Sequence, residues 1–259
     1  MLESIPLDII VPFLIVCPFA FLAGAIDAIA GGGGLISLPA FFMTGIPVHT
    51  ALGTNKLASS MGTTLATYRF AKQGFIKARR AVPCVIAAIA GAAIGANIAL
   101  LISDDALRIV MMIVIPLTAL YLIRSHSMEI TTQSPTSIKN IALCAAIAFA
   151  MGVYDGFYGP GTGTFLMLAF SGIAHLHLHD AAGTTKAVNL STNLSALAVF
   201  LLNGQVWLLL GIVAGLFNMA GAWVGVKLFT NKGTRIVKPI MLVVLSIFLI
   251  KTIIEVIGG

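Results

Sequence analysis

Two lysines and two aspartates set inside apolar sequence are the residues best placed to do chemistry in this chain. Lys56 closes the segment Ala51-Leu-Gly-Thr54-Asn55-Lys56, and Lys186 closes Ala181-Ala-Gly-Thr184-Thr185-Lys186. Asp27 and Asp155 lie in two glycine-rich breaks, at 24–34 and 152–163. A lysine held at depth in a bilayer costs at least ~2.5–3.5 kcal/mol and needs a compensating partner. Two such ammoniums can bind an anion, with Thr54, Asn55, Thr184, Thr185, Asn189 and Asn193 as neutral polar neighbours. Asp27 and Asp155 can neutralise the lysines within the fold, or one of them can carry a coupling proton. Both readings stay open at this level.

The breaks are the second source of chemistry. Glycine runs in an apolar segment leave backbone N–H and C=O groups that lipid cannot satisfy, so they must face protein or a watered cavity. Gly32, Gly33 and Gly34 precede a short apolar piece at 35–46, and Gly161, Thr162 and Gly163 precede another at 164–174. Each piece is expected to be a half-helix whose N-terminus, with free N–H groups and a positive dipole end, suits an oxyanion. Gly91 and Gly95, like Gly221 and Gly225, read instead as close helix packing through small residues. No Gly-Lys-Ser/Thr follows either run, which excludes a nucleotide-phosphate loop. His175, His177 and His179 alternate without a second ligand cluster and read as an interfacial loop rather than a metal site. Cys17, Cys84 and Cys144 lack ligand spacing and read as small buried hydrophobes. No cofactor or metal is implied, and no nucleophile–base pair suggests an enzyme.

The elements that must position these residues are membrane helices. The chain is 59% hydrophobic and 9% charged, against roughly 25% charged for a soluble domain. Runs at 81–102, 107–123, 207–226 and 239–257 approach the ~20 apolar residues that cross a bilayer core. Glu3 and Asp8 stand where a secretory signal carries bases, so the first apolar stretch is expected to be a retained helix. The net charge of +6 comes from bases in loops between apolar segments, an orientation signal that argues against nucleic-acid binding.

The chain reads as two copies of one unit. Gly24, Asp27, Gly31 and Gly33 recur 128 positions later as Gly152, Asp155, Gly159 and Gly161. Lys56, Gly74, Gly91 and Gly95 recur 130 positions later as Lys186, Gly204, Gly221 and Gly225, so the second copy has gained two residues, assigned to 175–180. The expected units are a repeat at 1–123, a polar linker at 124–140 and a repeat at 141–259. The loop at 69–80 carries Arg69, Lys72, Lys77, Arg79 and Arg80, whereas its counterpart Asn203-Gly-Gln205 carries no base. Asp104 and Asp105 face the opposite contrast, a counterpart at 227–238 with Lys227, Lys232, Arg235 and Lys238. Basic loops stay cytoplasmic, so the repeats are expected to be inverted. Inversion needs an odd number of crossings per copy: five plus five, with both termini outside. Four plus four with re-entrant glycine loops is the alternative.

These motifs resemble a known family. Ile-Asp27-Ala-Ile-Ala-Gly-Gly-Gly-Gly, Thr54-Asn55-Lys56-Leu and Tyr154-Asp155-Gly-Phe-Tyr-Gly-Pro look like the TauE/SafE sulfite and sulfonate exporter family, in its YfcA-like branch. The resemblance implies transport of small sulfur-containing or organic anions, often outward. The expectation is therefore an all-α, polytopic inner-membrane secondary transporter of a small anion, a sulfonate or related oxyanion, built from two inverted repeats and working by alternating access. An anion channel with the same electropositive constriction is the alternative. Proton coupling, direction and a monomeric or homodimeric state stay open.

Overall fold

The computed structural model describes residues 7–107, 109 and 134–232, and every regular element among them is helical. α1 (Leu7–Ala30) runs through apolar sequence to the first break, where Gly31 takes a φ of +80°, a conformation that spares glycine the steric cost of a side chain. α2 (Gly34–Phe42) has nine residues, about 14 Å of helix, too short to cross a bilayer alone. Its start lies against Ala23 and Asp27, and Phe41 belongs to the same apolar cluster as Val16 and Ala20. The second helix therefore folds back along the first.

α3 (Val48–Lys72) follows Pro47 and ends with Arg69 and Lys72 in its last turn, bases that complement the negative dipole end. α4 (Ala78–Leu101) returns antiparallel to it after a short loop. α5 (Ile138–Phe157) begins within the last residues of the expected linker and is capped by Ser137, whose hydroxyl accepts from the Asn140 N–H at 3.2 Å. After the second break come α6 (Thr162–Leu168), a wide π turn over Ala169–Ile173, α7 (Leu178–Leu202) and α8 (Leu208–Lys232). The π turn, at 169–173, lies just before the stretch 175–180 to which the two extra residues of the second copy are assigned.

Five of these helices are long and apolar enough to cross a membrane: Ile10–Ala30 of α1, all of α4, α5 and α7, and Leu208–Phe229 of α8. The 25-residue α3 fails that test because of its hydroxyls, amides and Lys56, most of which are buried against other helices. The apolar runs at 107–123 and 239–257 lie almost wholly outside the described residues, as do Arg235, Lys238 and most of the linker. The crossing count of five plus five is therefore not complete among the described residues.

Contacts between the copies are reciprocal. α1 packs on α8 and α4 on α5, in each case by backbone-to-backbone approach at glycines. A Cβ on Gly152 would sit 2.6 Å from the Ala88 carbonyl oxygen, and one on Gly225 would sit 2.8 Å from the Ala28 Cβ. This is the small-residue packing expected of Gly-x-x-x-Gly spacing, and it runs in parallel in both pairs. α3 and α7 instead run antiparallel: Gly53 lies against Phe200, whereas the Thr67 hydroxyl donates to the Lys186 carbonyl at 3.0 Å. The two breaks touch, since a Cβ on Gly31 would meet the Gly163 Cα at 2.6 Å.

Candidate functional site

Equivalent helices α3 and α7 present polar side chains at helical spacing toward each other. On α3 these are Asn55, Lys56, Ser59 and Thr63, and on α7 Asn189 and Asn193 stand four residues apart. Residues four apart share one helix face, so each helix offers a polar stripe inside an otherwise apolar bundle. The breaks close the other side with Gly31, Gly33, Gly34, Gly159 and Gly163, and Asn218 of α8 completes the lining. Gly34 and Gly163 stand in first helical turns, whose N–H groups have no intrahelical acceptor.

Both lysines reach this centre, and both find a carboxylate from the other copy. Lys56, 3% exposed, donates to Asp155 Oδ2 at 2.8 Å and to Asn193 Oδ1 at 3.2 Å. Lys186, fully buried, donates to the Asp27 backbone carbonyl and pairs with Asp27 Oδ2 at 3.3 Å. Asn189 Nδ2 adds a bond to Asp27 Oδ1 at 3.4 Å. The geometry around Lys56 depends on Gly159, where a Cβ would stand 2.9 Å from the ammonium nitrogen. Of the two carboxylates, Asp155 is the more enclosed, with 3% of its side chain exposed against 15% for Asp27. The four formal charges cancel. Burying a pair in this way avoids the uncompensated charge that would cost several kcal/mol.

The cavity between these groups is about 30 Å³, close to the share of volume one water takes in the liquid. The polar side chains leave little free space between them. Two ammoniums, amide and hydroxyl groups and two helix starts converge on the cavity, with a carboxylate against each ammonium.

Of the residues singled out from sequence, Asp27, Gly33, Gly34, Asn55, Lys56, Asp155, Gly163, Asn189 and Asn193 line the cavity, and Lys186 reaches it through Asp27. The others lie outside the lining. The Thr54 hydroxyl donates to the Thr50 carbonyl at 2.6 Å and accepts from the Trp207 N–H at 2.9 Å, which ties α3 to the start of α8. Thr162 donates to the Gly159 carbonyl at 2.7 Å and shapes the second break, and Gly161 takes a φ of +84° as the cap of α6. Gly32 packs near Thr164, and the Thr184 and Thr185 hydroxyls are buried without a partner among the described residues. Ser59, Thr63 and Asn218 were missed. The first two carry a signal, since they align with Asn189 and Asn193 at the repeat offset of 130. Asn218 carries a weaker one, a lone amide in the apolar run of α8 that aligns with Ala88. The three alternating histidines belong to the loop and start of α7, with His177 stacked on His179, and no cluster of metal-ligating residues occurs among the described residues.

Long apolar helices, paired broken segments and a buried polar centre are the parts of a multi-pass membrane transporter. The chain belongs to the TauE/SafE sulfite exporter family, whose model matches residues 16–252. A probable membrane transporter protein, ORF9 of a Sinorhizobium species, is 36% identical over 87% of this chain and 86% of its own length. A probable membrane transporter of Haemophilus influenzae is 33% identical over 87% of this chain and 88% of its own. The probable membrane transporter YfcA of Escherichia coli K12 is 31% identical, over 88% and 84%. No solved structure matches the chain.

Proposed function

We propose that this protein moves a small organic or sulfur-containing oxyanion, such as a sulfonate, across the inner membrane by alternating access between two inverted repeats. The observation that carries the reading is the crossed pair of buried ion pairs, Lys56–Asp155 and Lys186–Asp27, at the point where the two breaks meet. The antiparallel packing of α3 on α7 supports inversion, because repeats related by an axis along the membrane normal would set equivalent helices parallel. With α1 parallel to α3, the break and α2 return the chain to the side from which α1 set out, the parity of an odd crossing number.

In this reading the empty site is self-neutralised and closed. An entering anion takes one ammonium from its carboxylate, and a proton on the released carboxylate keeps the centre from gaining net negative charge. Amides at Asn55, Asn189 and Asn193 and the first-turn N–H groups of α2 and α6 orient the anion's oxygens. Bases at the 69–80 end face the cytoplasm, which puts both termini outside. Outward movement of an anion is then favoured by about 2.3 kcal/mol per charge per 100 mV of inside-negative potential, unless a proton travels with it.

The test is flux in proteoliposomes loaded with sulfite, taurine, sulfoacetate or a carboxylate, preceded by a thermal-shift screen of the same compounds. Saturable, counterflow-competent transport of at least one, with a pH change in the lumen when a proton moves too, is the expected result. Large single-channel currents would replace the carrier with a channel, and binding of none of these anions would remove the substrate class.

A further inference from the structure

A second charged cavity, away from the central one, lies where α4, α5 and α7 all begin. It measures about 470 Å³ and is lined by Lys77, Arg79 and Arg80 from the start of α4, Thr136 before α5, and His177 and Asp180 at the start of α7. Ser134 also borders it and accepts the His177 N–H at 2.9 Å, which holds the two segments together. Three helix N-termini thus face one space, each helix being 20 residues or longer. Their dipole ends are positive and favour acids in the first turn. α4 instead places Arg79 and Arg80 there. Among the described residues that line it, these three bases face one acid, Asp180.

Arg80 shows that the imbalance reaches inside the protein. It is 5% exposed, donates to Asp180 Oδ2 at 3.3 Å and to the Pro135 carbonyl at 2.7 Å, and keeps a buried Nε–H without a partner among the described residues. Lys77 and Arg79 are exposed at the rim. Within the first turns of α4 and α5, Val82, Ile86 and Ile138 leave more than half of their surface uncovered. We infer that this cavity binds a phosphate group, and that the group is the headgroup of an anionic phospholipid whose acyl chains lie on the Val82, Ile86 and Ile138 flank. Basic pockets between membrane helices at the interface are suited to such headgroups. A free phosphate would meet the same bases but gain nothing from the apolar flank.

Native mass spectrometry of the full chain in detergent, with phosphatidylglycerol or phosphatidylcholine added, tests the inference. The expected result is retention of phosphatidylglycerol but not phosphatidylcholine, weakened about tenfold or more in Lys77→Gln/Arg79→Gln, as loss of two interfacial bases predicts. Both positions are exposed, and an unchanged melting temperature in lipid-free detergent verifies that the variant is folded. An Arg80→Lys variant, which keeps the charge beside Asp180, should retain the lipid at an intermediate level. If inorganic phosphate raises the melting temperature of the wild type but not of the double variant, and no lipid is retained, the phosphate site stands and its source is soluble. Equal retention of both lipids, or retention unchanged in the double variant without a phosphate effect, overturns the site.

Discussion

At the residue scale, the account turns on lysines that are buried but not bare. Lys56 and Lys186 were legible as functional candidates because a cation in apolar sequence is costly and because the two recur in matching contexts. That the two aspartates neutralise them is one of the two readings the sequence supports, but which aspartate meets which lysine was not legible. Asp155 lies 99 residues from Lys56, and a cross-copy bridge depends on how the copies dock. The pairing makes a quantitative prediction. Lys56→Met should strand Asp155 and lower stability by about 3–5 kcal/mol, read as a drop in the detergent melting temperature. The double variant Lys56→Met/Asp155→Asn should regain most of that loss, because neither charge remains uncompensated. A single variant that melts like the wild type would show that the ion pair is absent in the membrane protein. Gly159 belongs to the same argument. Its φ of +98° and the 2.9 Å approach of Lys56 predict that Gly159→Ala costs about 1–3 kcal/mol, measured by the same melting experiment.

At the element scale, the broken helices were readable from glycine runs followed by short apolar pieces, and the structure places helix starts at Gly34 and Thr162. The polar stripe of α3 was read only in part. Ser59 and Thr63 are ordinary hydroxyl residues locally, and only their spacing from Asn55 and their alignment with two asparagines reveals the face. Asn218 comes from α8, whose close packing is legible in Gly221-x-x-x-Gly225 but whose partner helix is not. The antiparallel contact of α3 and α7 can be checked directly. Thr50 and Gln205 are joined side chain to side chain at 3.1 Å, so cysteines at both positions, in a background with Cys17, Cys84 and Cys144 replaced by alanine, should cross-link on mild oxidation. A pair drawn from the far end of α7, Thr50→Cys with Thr185→Cys, should not. The reverse pattern would mean that the helices run parallel.

At the scale of the whole molecule, the repeat and its loop charges predict an inverted architecture. Loop charge is written locally in sequence and acts through orientation in the membrane. A C-terminal fusion should therefore be active as alkaline phosphatase and dark as green fluorescent protein, and the opposite result would reject the inverted topology. What sequence could not convey is how narrow the centre is, because a 30 Å³ cavity is a property of packed helices rather than of any residue type.

The most direct test of the central claim separates fold from transport. Wild type and Lys56→Met/Asp155→Asn, matched for melting behaviour, are reconstituted and assayed for counterflow of whichever anion the screen identifies. The account predicts saturable flux in the wild type and loss of at least about a hundredfold in the double variant, a transport-state penalty of about 2.7 kcal/mol. Wild-type flux in the folded double variant would contradict it, since the cation at Lys56 would then play no part in carrying the substrate.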